Sequence, residues 1–321
     1  MRPIAWHPAV AVVAAALALA CTERVSAQAA SAAFEPEARI VRVDRVRMIA
    51  LARVGTRLVA AGERGRVLTS DDDGKTWVVA ATPAMTTLTS LTFVDEKTGF
   101  ATGHQATLLR TEDGGRTWTA ATVEIGEKAT LFALRIHGSK GMAVGGYGAF
   151  IETADGGRTW KERRIGPKGF DRHLTGIAAI GADRIVIAGE AGTLLRSTDG
   201  GANWELLKPP YEGSYFGICA VNDGTLIAYG MRGNALRSDD GGNTWQRISL
   251  GDYKGALQTG AELADGTVVL AGADGMIAVS ADHGKTFTTK PIGDRRTVAA
   301  LQRTSAGAWL TAGPSGLRSA E

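Results

Sequence analysis

The apolar positions of this chain come in short runs and do not follow the 3.6-residue rhythm of helices. In one stretch, Thr87–Val94 reads as a strand, Phe100–Thr102 as a second, Ala106–Arg110 as a third and Trp118–Thr122 as a fourth, with glycine or polar turns between them. Such spacing predicts hairpins. The same four-run pattern returns every 40 or so residues, the size of one propeller blade.

A short polar motif, S/T-x-D-x-G-x-T-W, keeps time with the runs. Its copies are Ser70-Asp72-Gly74-Thr76-Trp77, Thr111-Asp113-Gly115-Thr117-Trp118, Thr153-Asp155-Gly157-Thr159-Trp160, Ser197-Asp199-Gly201-Asn203-Trp204, Ser238-Asp240-Gly242-Thr244-Trp245 and Ser280-Asp282-Gly284-Thr286-Phe287. The aromatic residues stand 41, 42, 44, 41 and 42 residues apart. A seventh unit begins at Arg295, runs through Trp309 and stops at Ser319, where the next motif and a fourth strand should follow. Ala38–Val43 is a spare strand ahead of the first unit. Pairing the two removes an exposed sheet edge. The expected fold is therefore all-β: a seven-bladed β-propeller over 38–321, with four-stranded antiparallel blades and a ring closed by the N-terminal strand in the last blade. Six blades with a stray tail is the alternative.

Each motif falls at the hairpin between third and fourth strands. The Asp carboxylate can accept backbone N–H groups across the turn, the glycine permits a left-handed backbone, and the Ser/Thr hydroxyl can satisfy another turn group. The aromatic side chain buries a large apolar surface under the turn. Asp72, Asp113, Asp155, Asp199, Asp240 and Asp282, with Trp77, Trp118, Trp160, Trp204, Trp245 and Phe287, are thus expected to be structural. Spread over six blades, the aspartates cannot cooperate on one substrate.

The start of the chain has a different composition. Arg2 precedes an uncharged Ala/Val/Leu-rich stretch, Ala9–Ala20, too short to span a bilayer, and Val25-Ser26-Ala27 offers a cleavage site. Residues 1–27 are expected to be a signal peptide, 28–37 a short linker, and the mature protein to be exported to the periplasm. Ala18-Leu19-Ala20-Cys21 also resembles a lipoprotein signal, so membrane attachment would follow only if Cys21 is lipidated. Cys219, in an apolar strand, reads as a core residue, and two cysteines supply no disulfide framework. The formal charge is +3. Arg2 and Arg24 against Glu23 account for +1 of it, leaving +2 on the mature chain, too mild for nucleic-acid binding.

Catalytic constellations are weak. His104, His137, His173 and His283 fall in different blades without ligand spacing. Asp71-Asp72-Asp73-Gly74 is followed by Trp77, Val78 and Val79 with no bidentate Glu, which argues against a calcium loop. No Gly-x-Ser-x-Gly elbow occurs, and no glycine-rich turn precedes a helix. No cofactor or metal is expected.

The face opposite the motifs carries the other candidates. The lead-ins to the inner strands bring Arg45, Thr87, Lys128, Arg172 with His173, Tyr215, Lys254, and Arg295 with Arg296. The turns between second and third strands bring Arg64, His104, Tyr147, Glu190, Arg232 and Asp274. Arg45, Arg64, Lys128, Arg172, His173, Tyr215, Arg232, Lys254, Arg295 and Arg296 form a candidate basic rim for an acidic peptide or another anion. Ordinary solvated loop charges are the competing reading. Arg110, Arg196, Arg237 and Arg318, each just before a motif Ser/Thr, are expected to pair with motif aspartates.

The motif residues resemble the Asp-box (BNR-type) propellers, which include sialidases, other glycoside hydrolases, sortilin-type receptors and the photosystem II stability/assembly factor family. Gly189–Gly201 looks like the repeat of the last family, and the resemblance covers about 36–321. It implies a non-catalytic scaffold that binds a protein partner, such as a membrane-protein segment, and an arginine patch for which the rim arginines are candidates. The alternative is a sialidase-like glycoside hydrolase or carbohydrate-binding propeller. The sialidase Arg-Ile-Pro segment has only Arg164-Ile165-Gly166-Pro167 as a mid-chain match. No motif marks a pair of carboxylates at the ~5–10 Å that glycosidases use.

Overall fold

A computed structural model describes residues 42–293 and 295–320. The expected signal peptide, the linker and Cys21 lie outside them. Seven antiparallel sheets follow one another along the chain, forming a seven-bladed β-propeller. The first blade runs Met48–Val54, Arg57–Gly62, Val67–Ser70 and Val78–Val79 from the channel outward. The other inner strands are Leu88–Phe93, Leu131–His137, Leu174–Ile180, Tyr215–Ala220, Leu257–Glu262 and Ala300–Arg303. Second strands are buried on both faces, as in Gly99–Gly103, Leu226–Gly230 and Val268–Gly272, so they read as continuous apolar runs. Among the described residues, no helix is long and apolar enough to cross a membrane.

Neighbouring blades also lace together at the outside. Thr122–Glu124, leaving the second blade, pairs in parallel with Thr159–Glu162, the outer strand of the third. A parallel bridge between Ala81 and Thr117 links the first two blades in the same way.

The last blade shows three strands among the described residues: Ala300–Arg303, Trp309–Gly313 and Gly316–Ala320. Of the closing strand expected over 38–43, residues 38–41 lie outside the described set. Val43 is not in a strand but opens a 3₁₀ turn, Val43–Arg45, in which Arg45 N–H bonds to Arg42 O at 3.2 Å and the Arg42 guanidinium to Asp44. The chain must turn here to enter the first inner strand. It does so directly over the last blade, since a β-carbon on Gly316 would lie 1.9 Å from Val43 O. The ring is closed between the first and seventh blades by one core cluster that joins Met48, Leu58, Leu68 and Trp77 to Leu310, Ala312 and Leu317. Arg53 adds a bond to Arg303 O at 2.7 Å, and Asp73 accepts from Arg53 and from Ser305.

All six motifs close the same Ser/Thr–Asp turn, and four add a bond from the tryptophan indole. In the first, Ser70 Oγ donates to Asp72 at 2.8 Å and accepts Gly74 N–H at 2.8 Å, while Asp72 accepts the N–H and hydroxyl of Thr76 at 2.8 and 2.6 Å. Trp77 Nε1 donates to Gly74 O at 3.1 Å. In the fourth motif Asn203 Nδ2 replaces the threonine hydroxyl, donating to Asp199 at 2.7 Å. The turn then presents its glycine to the preceding blade: a β-carbon on Gly157 would meet the Phe100 ring at 2.3 Å, and one on Gly284 would meet Ile227 at 2.3 Å. At the ring closure, one on Gly74 would meet Leu310 at 3.2 Å. The arginines before the motifs do not bond to the motif aspartates. Arg110 pairs with Glu112, Arg196 with Glu205 and Arg237 with Asp239, because the motif carboxylates already face inward to their own turns.

These hydrogen bonds favour the ionised aspartates. The Asn203 N–H, then the Asn203 amide and the Ser197 hydroxyl, hold Asp199 at about 2. Burial pushes Asp72 and Asp240 up, but bonds from Thr76 and Ser70, and from Thr244 and Ser238, outweigh it and leave both at about 2. Asp155 and Asp282 are held lower still by their Ser/Thr partners.

Two outcomes follow for stability. Gly157→Ala, forced against Phe100 at a φ of +82°, should destabilise the domain by about 3 kcal/mol, read by urea titration. The folded aspartates titrate below the unfolded value of about 3.9, so their stabilisation is complete above that pH and is lost as pH falls toward 2. Thermal midpoints should stay level from neutral pH down to about 4.5, then drop steeply.

Candidate functional site

The face opposite the motifs is organised by two repeated backbone devices. The first is a β-bulge near the start of six inner strands, at Ile49, Thr89, Phe132, Thr175, Phe216 and Gln258. A bulge inserts one unpaired residue and re-aims its side chain. These six residues, with Ala299 of the seventh blade, line a central cavity of about 350 Å³ to which every inner strand contributes. Its lining is uncharged: Ile49, Phe132 and Phe216 supply apolar surface, and Thr89, Thr175 and Gln258 supply polar groups.

The second device is the turn between second and third strands. Its central residue is left-handed in six blades, with φ of 56° at Arg64, 55° at Gln105, 56° at Tyr147, 50° at Ala191, 57° at Arg232 and 57° at Asp274. The preceding N–H is bonded to the residue before the inner strand of its own blade, as in Glu63 N–H to Arg47 O, His104 to Thr87, Gly146 to Thr130, Glu190 to His173, Met231 to Ser214 and Ala273 to Ala256. The following N–H often reaches the next blade, as in Gly148 to Arg172 O and Gly192 to Gly213 O, each at 2.9 Å. Turns and lead-ins are thereby fixed side by side around the channel mouth.

This register corrects three alignments. His104 and Glu190 are not the projecting turn residues; Gln105 and Ala191 are. Tyr215 is not at the rim. It is the first residue of its inner strand, equivalent to Met48 and Leu88, and it is fully buried, with Ser214 at the lead-in. Burial pushes its hydroxyl pKa up. Its ring packs edge-on against Tyr211, and its hydroxyl donates to Tyr211 O at 3.4 Å.

Arg45, Arg64, Lys128, Arg172, Arg232, Lys254, Arg295 and Arg296 are exposed on the channel-mouth face, and Arg45, Lys128, Lys254 and Arg295 share one structural position two residues before the lead-in. His173 is half-buried. Its Nδ1 accepts the Tyr147 N–H at 2.9 Å, and its ring lies edge-on to Tyr147 and Phe132. Acidic residues are interleaved, including Glu63, Asp171, Glu212 and Asp274, so the face is mixed with an excess of cations.

Ion pairing differs between the two faces. Arg53, Arg57, Arg110, Arg163, Arg196, Arg237 and Arg303 each hold a carboxylate at 3.2 Å or closer. Among the described residues, none of Arg45, Arg64, Lys128, Arg172, Arg232, Lys254 and Arg295 has one within 4.0 Å; Arg172 bonds instead to Ala191 O and Thr193. Sequence reasoning named Tyr147 in its turn but missed two further exposed apolar residues, Met85 and Met231. Tyr147 is 80% exposed, Met85 85% and Met231 38%, all beside the mouth. They are single residues in polar loops, with no periodicity to reveal them.

The profile of a family described as Photosynthesis system II assembly factor YCF48 matches residues 77–236. The solved structure of YCF48 bound to a D1 peptide is 22% identical, over 72% of this chain and 80% of that one, with a TM-score of 0.55. YCF48 from Cyanidioschyzon merolae is 15% identical over 86% and 95%, with a TM-score of 0.65. An ancestral GH74 enzyme is 12% identical over 88% of this chain and 45% of its own, with a TM-score of 0.70. At these identities the likeness is one of fold. No curated protein sequence matches the chain.

Placing Tyr215 in the core predicts distinct effects of two substitutions. Tyr215→Ala should cost about 3–5 kcal/mol in urea titration, as for other large core truncations. Tyr215→Phe removes only a long hydrogen bond and should cost less than about 1 kcal/mol.

Proposed function

Because the chain belongs to the photosystem II assembly factor-like family of Asp-box propellers, we propose that it is an exported, non-catalytic scaffold whose channel-mouth face binds an acidic segment of a protein partner and so supports a membrane-associated complex. The observation that carries this reading is the contrast in ion pairing between the two faces. Seven arginines on the motif side, Arg57, Arg196 and Arg237 among them, are neutralised by neighbouring carboxylates, while Arg45, Arg64, Lys128, Arg172, Arg232, Lys254 and Arg295 around the mouth have none within 4.0 Å among the described residues and can receive an incoming anion. Unpaired surface cations steer association and set orientation, and apolar residues between them supply the desolvated contact. Tyr147, Met85 and Met231 fill that second role. A propeller of similar fold was solved with a D1 peptide bound, which supports a peptide segment as the partner. Export to the periplasm rests on Arg2, Ala9–Ala20 and Val25-Ser26-Ala27, and attachment to a membrane on Cys21.

A glycosidase reading has less support. The cavity lining contains no Asp or Glu to act as acid or nucleophile, and Arg164–Pro167 lies in a loop where Ile165 is buried. The GH74 likeness is one of fold.

The test uses the protein's own turn chemistry. Asp274 occupies the left-handed turn position at φ 57°, so Arg64→Asp and Arg232→Asp place a tolerated residue in the same conformation, and Arg295, at φ 56°, accepts the same change. The triple variant should fold with an unchanged thermal midpoint and lose the partner that the tagged wild type retrieves from native membranes. Retrieval by the wild type should weaken as salt rises. Equal retrieval by both proteins would refute the assignment of this face.

A further inference from the structure

Between the third and fourth blades, on the motif side and away from the channel mouth, lies a cleft of about 780 Å³. Its origin is a break in the repeat. Arginine stands before the motif Ser/Thr in four blades, at Arg110, Arg196, Arg237 and Arg318, and an uncharged residue, Thr69 or Val279, in two, but the third blade has an acid there, Glu152. In the fourth and fifth blades that arginine crosses to the next motif, Arg196 to Asn243 and Arg237 to His283 O. In the third blade Arg163 reaches over from beyond the outer strand, pairs with Glu152, and bonds to Gly201 O and Ala202 O. Gly201 O is the group that would accept from Trp204, and Trp204 Nε1 is left buried without a partner. Filling from the outside leaves the inner part of the seam open.

A second break lies in that open part. Arg135 pairs across the hairpin with Met142. The equivalent residues of the other blades are Ala52, Thr92, Ala178, Cys219, Ala261 and Gln302, all uncharged. Arg135 is half-buried and gives one hydrogen bond, from Nη2 to Gly181 O at 2.7 Å. Among the described residues no carboxylate lies within 4.0 Å of it, and its other N–H donors have no protein partner. Burial without a compensating anion lowers its pKa. Lys140 and His137 stand exposed beside it, and Met142 and Ile185 supply an apolar wall. Of the nearby acids, Asp155 and Asp199 are held inside their motifs and Glu152 is paired with Arg163. Asp183 remains at the edge, close to Gly200.

We infer that this cleft is a second binding site, independent of the channel mouth, for a small monocarboxylate with a short apolar body. A guanidinium fork with open donors in a half-buried setting matches a planar carboxylate bidentately. The cleft volume suits a small molecule, and Met142 and Ile185 give the body a surface. Asp183 sets the charge preference: with this acid in the same lining as Arg135 and Lys140, the site suits a single negative charge better than a doubly charged phosphate.

Calorimetric titration of the whole mature protein with hexanoate, at low salt, tests this. Saturable binding at millimolar concentration is expected, weakened about tenfold by Arg135→Gln and about threefold by Lys140→Gln. The second variant, at an exposed position, keeps the test open if the first does not fold. Lys290→Gln, on the outer strand of the sixth blade, should bind as the wild type does. Hexanol, which has the body without the charge, should not bind. Absence of saturable hexanoate binding, equal binding of hexanol, or unchanged affinity in both cleft variants would overturn the assignment.

Discussion

The structure depends on one contact made again and again: the motif glycine of one blade seated against the second strand of the blade before it. That contact needs two things at once. The aspartate must hold the turn closed, which it does by accepting the threonine N–H and hydroxyl, and the glycine must lack a β-carbon, because Phe100 and Ile227 occupy that space. The aromatic residue then covers the turn, and in four of the six motifs a tryptophan ties its indole N–H to the glycine carbonyl. A local hydrogen-bonded turn is thereby converted into the seam between blades. The same contact between Gly74 and Leu310 joins the first blade to the last.

Because the seams are made on one face, the other is released from packing duty. Its turns share one set of backbone bonds, such as Glu63 N–H to Arg47 O, with side-chain bonds added locally, such as Tyr147 N–H to His173 Nδ1, so the projecting residue can be Arg64, Gln105, Tyr147, Ala191, Arg232 or Asp274 without change of fold. Variation of that kind, on a rigid frame, is where binding surfaces arise. The bulges at the inner strands work in the same direction, turning Phe132 and Phe216 toward the channel beneath a rim rich in cations.

The blades were legible in the sequence because six of the seven carry an aspartate and a glycine at fixed spacing before an aromatic residue. The rim was legible only in part. Tyr215 was read one position late as a lead-in residue, where Ser214 stands, and a shift of one residue exchanges core for surface. His104 and Glu190 were misplaced by the same one-residue error. The turn at Val43–Arg45 overrode a strand-like alternation because the chain must redirect there. Arg135 gave no signal at all. Its meaning lies in the six uncharged residues at its position in the other blades, and that equivalence appears only once the hairpin registers are known.

The central claim is that the channel-mouth face, and not the motif face, meets the partner. Tyr147 is 80% exposed there, and Lys75 is exposed in a motif turn on the opposite side. A photo-crosslinking aromatic amino acid placed at each position in turn, with irradiation in native membranes, tests the claim directly. The account predicts a protein adduct at position 147 that fades as salt rises, and none at position 75. An adduct formed at position 75 and absent at 147 would contradict it.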